Sequence, residues 1–150
     1  MVFEHQHMVG WGDLDANGHL RNTAYLDKSA DLRMLYFASN GFPMSAFAEH
    51  GIGPVVQSDE IEYFREFRLL EPIRITLIAA GLSEDGARFR LRNEFYRPDG
   101  RLAARVTSRG GWMNIGKRRL TAPPPALKEA LLGLSRSDDY GVLSDLVEKP

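Results

Sequence analysis

The sequence predicts one α+β domain in which a long buried helix is wrapped by a curved antiparallel sheet of about five strands. Residues 22–39 are rich in Ala, Leu, Met, Tyr and Phe, and their apolar positions spread over much of a helix circumference. From residue 61 onward, apolar and polar side chains alternate with the period of strands that have one buried face. A buried helix and a one-sided sheet satisfy each other's need for burial, so we expect them to pack together.

Local signals define each element in turn. Alternation over residues 2–11 predicts a first strand, and Asn40-Gly41 followed by Pro43 marks the end of the helix. Residues 42–54 then form a connection with room for one helical turn. Four further strands are expected, at residues 61–69, 73–79, 88–95 and 102–115. Tight turns, which would make these strands a meander of three hairpins, are predicted at Glu71-Pro72, Glu84-Asp85-Gly86 and Pro98-Asp99-Gly100.

The segment after the sheet is expected to be short and polar. Pro123-Pro124-Pro125 ends the sheet region, and residues 126–134 predict a short helix. The last fifteen residues are polar, which predicts a loosely held segment. We therefore expect one domain over residues 1–134 and a polar C-terminal tail over residues 135–150.

Composition excludes several classes of protein. The 150 residues carry a net charge of -1, which argues against a general nucleic-acid binder. Cysteine is absent, which excludes disulfides, thiolate metal sites and cysteine nucleophiles. No apolar run approaches the roughly 20 residues of a membrane span, and the N-terminus has neither the basic nor the apolar region of a signal peptide. We therefore expect a cytoplasmic protein that does not act at a membrane.

Positive charge is concentrated late in the chain. Residues 88–119 contain ten Lys and Arg but two acids, whereas the first 87 residues contain thirteen acids and six bases. Two interpretations are open: a solvated basic face of the sheet, or a surface that attracts an anionic, phosphorylated substrate.

The densest polar cluster lies between the first strand and the helix. Asp13, Asp15, Asn17 and His19 fall within seven residues, and polar groups this dense cost folding energy unless they are exposed or used. The spacing matches half of an EF-hand calcium loop, but the twelfth position is Ala24 instead of a glutamate. The histidines lack zinc-ligand spacing, and the chain has no Gly-x-Ser-x-Gly elbow. We therefore expect no metal and no cofactor.

Carboxylate chemistry is the remaining functional interpretation. Asp15 lies about one turn before a helix whose first N–H groups, at Asn22 and Thr23, can polarise a carbonyl oxygen. A carboxylate on the other side of that carbonyl can attack it or deprotonate a water. The alternative is that Asp15 and Asn17 are only turn and capping residues, since both types favour such positions.

The segment Trp11–Tyr25 resembles the hotdog-fold acyl thioesterases of the hydroxybenzoyl-CoA thioesterase superfamily. It is most similar to the branch that acts on acyl-carrier protein, whose pattern is Trp-x-Asp-x-Asp-x-Asn-x-His-x-x-Asn-x-x-Tyr. The resemblance implies a single hotdog domain with Asp15 as nucleophile or general base. It also implies that Asn17 and His19 orient the water or the carboxylate.

A second segment carries the same resemblance. Residues 62–66, Glu-Tyr-Phe-Arg-Glu, are similar to the Tyr-x-Arg-Glu strand of that branch, which implies a catalytic role for Glu66. The developing oxyanion is expected at the backbone N–H of Asn22 or Thr23. Candidates for the acyl pocket, which core packing explains equally well, are Tyr25, Phe42, Met44 and Phe47.

The resemblance implies an acyl-CoA thioesterase, which converts a thioester and water to a free acid and CoA. Relatives pair at sheet edges and place the active site at the seam, which implies a homodimer or a homotetramer. Two alternatives are an acyl-ACP thioesterase and a non-catalytic hotdog module that binds acyl-CoA. The phosphates of CoA are expected at the end of the last strand, at Lys117, Arg118 and Arg119, with Arg88, Arg90 and Arg92 as the competing set.

Overall fold

The computed structural model describes residues 1–146, and these form a seven-stranded sheet with one long helix packed across it. A 3-10 turn, Trp11–Asp13, follows the first strand. The helices are α1 (Asn22–Ser39), α2 (Met44–His50) and α3 (Pro125–Leu132). The strands are β1 (Phe3–Met8), β2 (Ile52–Tyr63), β3 (Pro72–Ser83), β4 (Arg88–Tyr96), β5 (Leu102–Asn114), β6 (Arg119–Thr121) and β7 (Arg136–Leu143).

The main path of the sheet is β1-β3-β4-β5-β2, with antiparallel neighbours throughout. The short strand β6 continues beside β5 where β4 ends. Strand β7 runs parallel to β3 and occupies the edge of β3 that β1 leaves free after Leu77. Strand β2 is therefore at the opposite edge of the sheet from β1.

The helix α1 has the predicted bounds and packs on the inner face of the sheet through aromatic side chains. Tyr25 contacts Phe95 of β4 with a ring separation of 5.1 Å, and Phe37 contacts Trp112 of β5 at 5.6 Å. The helix ends where Asn40-Gly41 predicted, since Gly41 adopts a φ of 90°. These contacts direct the N-terminus of α1 toward the Tyr63 end of β2. None of the helices within residues 1–146 is long and apolar enough to span a membrane.

The prediction for the strand at residues 61–69 is wrong in its bounds and its pairing. Strand β2 begins at Ile52 and ends at Tyr63, and it pairs with β5 instead of forming a hairpin with β3. Phe67 produced the misleading alternation: it is fully buried, but it lies in the irregular segment that carries the chain from β2 to β3. The meander therefore contains two of the three expected hairpins, β3–β4 and β4–β5.

The sheet has seven strands instead of about five, because β6 and β7 were not expected. Residues 136–143 form β7, which corrects the expectation of a loosely held segment there. The reason is the free edge of β3 beyond Leu77: unpaired backbone groups along a sheet edge favour a further strand. Ala79 donates its N–H to Ser135 O at 2.8 Å where that pairing starts. Residues 147–150 of the expected tail lie outside the described residues.

Gly110 of β5 marks the closest approach between β5 and β2. A Cβ added there would overlap the carbonyl oxygen of Val55 and come within 2.9 Å of Phe89 Cζ. We expect Gly110→Ala to lower the free energy of unfolding by more than about 3 kcal/mol, because backbone must move to relieve the overlap. Urea denaturation measures this. The control is Gly12→Ala, where an added Cβ meets nothing within 4 Å; equal stability of the two variants would contradict the packing described.

Candidate active site

The loop between the 3-10 turn and α1 holds the Asp15 carboxylate with its own backbone. Asp15 Oδ1 accepts the N–H of Asn17 at 2.8 Å and the N–H of His19 at 3.1 Å. The loop closes because Gly18 adopts a φ of 76° and Asp15 donates its N–H to His19 O at 2.8 Å. The hydrogen bonds from His19 and Asn17 lower the pKa of the exposed Asp15 carboxyl, because they favour its ionised form. Asp15 is therefore a fixed carboxylate open to a ligand.

The neighbouring Asp13 has a different, structural role. Its Oδ2 accepts the N–H of Gly10 at 2.9 Å and lies 3.2 Å from Lys28 Nζ of α1. These contacts tie the 3-10 turn to the first turns of α1. The two carboxylates of the Asp-x-Asp motif are thus separated by function: one anchors the loop and the other stays available.

Within residues 1–146, the first residue of α1 has a backbone N–H that is not used in a hydrogen bond. Thr23 donates its N–H to Asn22 Oδ1 at 2.8 Å, and Ala24 donates to Arg21 O at 3.0 Å. The N–H of Asn22 makes no hydrogen bond within residues 1–146. Of the two backbone N–H groups predicted to hold the oxyanion, the one at Asn22 is therefore available to an incoming oxygen. It lies at the helix N-terminus, which carries partial positive charge.

A pocket of about 620 Å³ brings several predicted residues together. Five site residues named from the sequence line it: Asp15, His19, Asn22, Tyr25 and Glu66. The remaining lining residues, which sequence reasoning did not assign to the site, are Leu20, Arg21, Tyr63, Phe64 and Arg65. Three of these five lie in the Glu62–Glu66 motif, so the motif that indicated Glu66 contained the signal for them.

Tyr25 forms the wall of this pocket from the first turn of α1. Its ring is buried and packs edge-on against Tyr63 at 5.4 Å. Burial raises the pKa of Tyr25 to about 12, and the nearby Tyr63 hydroxyl and Glu66 carboxylate act in the same direction. The phenol therefore stays protonated and presents a neutral, largely apolar surface.

Glu66 reaches the pocket from the irregular segment after β2 instead of from a strand, which corrects the expected position. Glu66 Oε1 lies 4.0 Å from His19 Nε2 and 3.4 Å from an Arg68 guanidinium nitrogen. An isolated bridge pairs His19 with Arg68, and Leu20 donates its N–H to Phe67 O at 2.9 Å. The segment carrying Glu66 is thus paired to the loop carrying Asp15 by backbone hydrogen bonds.

An ion pair fixes the same segment from the other side. Arg97 donates to both carboxylate oxygens of Glu71, at 3.2 Å and 2.7 Å, and also to the carbonyl oxygen of Glu66. Glu71 in turn accepts the N–H of Arg68 at 2.6 Å. The hydrogen bonds from Arg97 lower the pKa of Glu71.

Other predicted residues lie away from the pocket. The side chains of Asn17 and Thr23 are not among those that line it. Phe42 and Phe47 are buried in the core beyond the C-terminal end of α1, where their rings pack edge to face at 4.7 Å, and Met44 is exposed. No group of three or more potential metal-ligating side chains gathers anywhere in residues 1–146.

The basic residues Lys117, Arg118 and Arg119 lie in and after the turn between β5 and β6. The pocket is beside Tyr63, which pairs with Ala104 of β5, whereas Asn114 at the other end of β5 pairs with Ile52. A strand rises about 3.3 Å per residue, so the turn lies about 30 Å from the pocket of the same protomer.

The sequence model of the thioesterase-like superfamily matches residues 9–131, which cover the pocket and most of the sheet. The chain belongs to this superfamily. Membership identifies it as a thioester hydrolase, as the resemblance of Trp11–Tyr25 implied. A comparison with curated proteins gives no match.

Solved structures, several of them of thioesterases, have the same fold as this superfamily member, which supports the expected hotdog fold. A Staphylococcus aureus protein in complex with CoA is 19% identical, with a TM-score of 0.81 over 100% of this chain and 90% of its own. A 1,4-dihydroxy-2-naphthoyl-CoA thioesterase from Synechocystis is 15% identical, with a TM-score of 0.78 over 89% and 98%. A Lactobacillus plantarum protein described as an oleoyl thioesterase is 19% identical, with a TM-score of 0.82 over 100% and 55%.

The lowered pKa of Glu71 predicts how the stability of this thioesterase-superfamily protein depends on pH. A carboxylate with a depressed pKa stabilises the folded state above its unfolded pKa, and this contribution is lost as the pH falls. We expect Glu71→Gln to cost stability at pH 7, and the gap to the unmodified protein to close as the pH falls from about 5 to about 3. Chemical denaturation across this range measures the gap. A constant gap would contradict the Arg97–Glu71 interaction, and Arg97→Gln should reproduce the same pH dependence.

Proposed function

We propose that this protein is an acyl-CoA thioesterase in which Asp15 is the nucleophile or general base. One observation carries the proposal: the ionised Asp15 carboxylate and the free N–H of Asn22 open onto the same pocket. A thioester carbonyl oxygen that accepts the Asn22 N–H lies at the N-terminus of α1, and the partial positive charge there stabilises negative charge on that oxygen. The carbonyl carbon then faces the Asp15 side of the pocket.

Two routes lead from this arrangement to the same products. In the first, Asp15 attacks the carbonyl carbon and expels the CoA thiolate, and water hydrolyses the resulting anhydride. In the second, Asp15 takes a proton from a water whose oxygen attacks the carbon directly. In both, one water is consumed, the acyl group leaves as the free acid, Asp15 is regenerated and a proton ends on the thiol of CoA.

The polar residues around Asp15 have positioning roles in this proposal. Asn17 orients the carboxylate through the N–H that it donates to Oδ1. His19 donates the second N–H, and its ring lies close enough to Glu66 for a water to be held between them. Tyr25, being neutral and buried, lines the path of the acyl group.

The homodimer is supported by the unpaired edge of β2. Within residues 1–146, β2 pairs with β5 on one side and with no strand on the other. Twelve residues of open strand edge favour pairing with a second copy.

If two β2 strands pair antiparallel, the Ile52 end of one copy meets the Tyr63 end of the other. The β5–β6 turn of the partner then approaches the pocket, which gives Lys117, Arg118 and Arg119 a place beside the CoA phosphates. A CoA substrate also fits the Staphylococcus aureus relative, whose structure contains CoA.

Asp15→Asn tests the chemical role of the carboxylate. We expect kcat to fall by about 100-fold or more, since the group acts mainly in the transition state. The measurement is release of free thiol from a panel of acyl-CoA substrates. The matched control is Asp13→Asn, which loses the Lys28 contact and should lower Tm while keeping kcat within about threefold.

Near-normal turnover by a folded Asp15→Asn protein would refute the mechanism. Thiol release from none of the acyl-CoA panel by the unmodified protein would instead favour an acyl-ACP substrate or a non-catalytic binding module. Repeating the assay with acyl-carrier protein separates these two.

The shared site is tested by mixing two defective chains. The double variant Arg118→Glu/Arg119→Glu should raise KM for acyl-CoA by about tenfold or more, with a smaller effect on kcat, and added salt should reduce the difference. When it is co-expressed with Asp15→Asn under separate tags, the purified mixed dimer contains one site with an intact Asp15 and an intact basic turn.

We expect the mixed dimer to regain activity at low acyl-CoA concentration that neither parent dimer has. A small thioester without the nucleotide should be hydrolysed by the double variant as by the unmodified protein. A fully active monomer, or a mixed dimer without restored activity, would contradict the shared site.

A further inference from the structure

The face of the sheet that points away from α1 carries arginines on β3, β4 and β5, and half of these have acidic partners. Arg74 lies 3.3 Å from Glu4, Arg92 lies 2.8 Å from Asp139, and Arg105 is 3.0 Å from Glu94. Each of these pairs neutralises a positive charge that the strands bring onto a shared surface.

Arg88, Arg90 and Arg109 on the same face differ, since none of them forms an ion pair within residues 1–146. Arg90 is directly opposite Arg109 in the β4–β5 register, and Arg88 is its next neighbour on the same side of β4. Like charges in directly opposed positions repel and destabilise a sheet. Repulsion of this kind is expected at a binding site, where a bound anion neutralises the positive charges.

Hydrogen bonding points the same way. Arg90 donates one guanidinium N–H to Ala80 O at 2.8 Å, which fixes the plane of the group. Its Nε is buried and has no hydrogen-bond partner among residues 1–146. A buried donor on a charged group is normally satisfied, so this unpaired N–H adds to the local cost of the cluster.

The three arginines line a pocket of about 230 Å³. Gln57 from the bulge of β2 and Ser144 after β7 complete its rim with neutral polar groups, and Leu143 supplies an apolar wall. Within the described residues that line the pocket, there is no acidic side chain. Positive charge, planar fork-shaped donors and a concave shape together match a phosphate group.

We propose that this Arg88/Arg90/Arg109 pocket binds a phosphate-bearing anion. Two sources have this chemistry: the phosphate groups of coenzyme A, for which this pocket competes with the Lys117–Arg119 turn, and free inorganic phosphate or pyrophosphate. Assignment to coenzyme A rests on the proposed thioesterase function, whereas binding of pyrophosphate does not. The pocket also accounts for part of the excess of Lys and Arg over residues 88–119. Of the three arginines that alternate on β4, Arg92 is paired with Asp139, so Arg109 of β5 is the third member of the cluster.

The test uses the whole protein at low ionic strength, with inorganic pyrophosphate as the first probe. Isothermal titration calorimetry compares the unmodified protein with the triple variant Arg88→Gln/Arg90→Gln/Arg109→Gln. The matched control is Arg74→Gln/Arg105→Gln, which removes charge from the same face but only at arginines with acidic partners. We expect the triple variant to bind pyrophosphate at least tenfold more weakly, and the control to bind within threefold of the unmodified protein.

Thermal unfolding provides a readout that does not depend on a ligand. In phosphate-free buffer of low salt, Arg109→Gln should raise Tm because it relieves repulsion, while Arg74→Gln should lower it. Pyrophosphate should raise the Tm of the unmodified protein and leave that of the triple variant unchanged. Equal affinity of the triple variant and the unmodified protein, or no pyrophosphate binding by the unmodified protein, would overturn the proposal.

Titration with CoA and with pantetheine then identifies the source. If CoA occupies the pocket, its affinity should fall at least tenfold in the triple variant, while pantetheine, which has no phosphate, binds both proteins alike. If only pyrophosphate binding is lost, the pocket belongs to free phosphate. Because these measurements require no turnover, a protein without thioesterase activity can still confirm the site, and an active one can still refute it.

Discussion

Aromatic packing between α1 and the inner face of the sheet is the contact that positions the rest of the molecule. Tyr25 against Phe95 holds the first turn of the helix, and Phe37 against Trp112 holds the last. Aromatic side chains bury large areas and have preferred geometries, so contacts at both ends leave the helix little freedom to slide or rotate. The free N–H of Asn22 is consequently directed to one place, beside the loop that presents Asp15.

The segment between β2 and β3 is the second determinant of the site. It has to cross from β2, at one edge of the sheet, past β5 and β4 to β3. Phe67 anchors the segment by its burial, and the Arg97–Glu71 ion pair holds its end. Backbone hydrogen bonds from this segment to the 14–20 loop bring Glu66 opposite His19. The pocket is therefore built in part from an irregular segment that burial, an ion pair and backbone hydrogen bonds hold in place.

The basic residues of the described sheet form two groups, those neutralised by ion pairs and those that keep their charge. Ion pairs neutralise the arginines of β3 and the first half of β5, and these stabilise one surface of the sheet. The Arg88/Arg90/Arg109 pocket keeps its charge, and so does the β5–β6 turn at the far end of β5. In the dimer proposed through β2, antiparallel pairing would bring this turn toward the pocket of the partner, so one basic stretch of sequence would supply charge at two places that are distant within one chain.

Patterns of short range were enough to predict much of this protein from its sequence. Neighbouring residues determine the bounds of α1, the strands β4 and β5 and the turns at Gly86 and Gly100, and the structure agrees with these predictions to within a residue. Strand β3 also forms where predicted, but it continues to Ser83, four residues beyond its predicted end. The Trp11–Tyr25 motif likewise contains Asp15, His19, Asn22 and Tyr25 within one loop and one helical turn. Local spacing therefore places them together.

Contacts between residues distant in sequence decided the rest. Phe67 has the alternation of a strand residue, but burial under the loop before α1 determines its conformation, and nothing in its neighbours encodes that loop. Residues 136–143 are polar, yet they form β7 because β3 extends beyond β1 and leaves backbone groups to be paired. The separation of Asp13 from Asp15, the choice of Asn22 over Thr23 as donor, and the cluster of Arg88, Arg90 and Arg109 all depend on where the fold puts a partner. A sequence lists the donors, acceptors and charges, whereas the tertiary structure determines which of them are satisfied and which remain free to act.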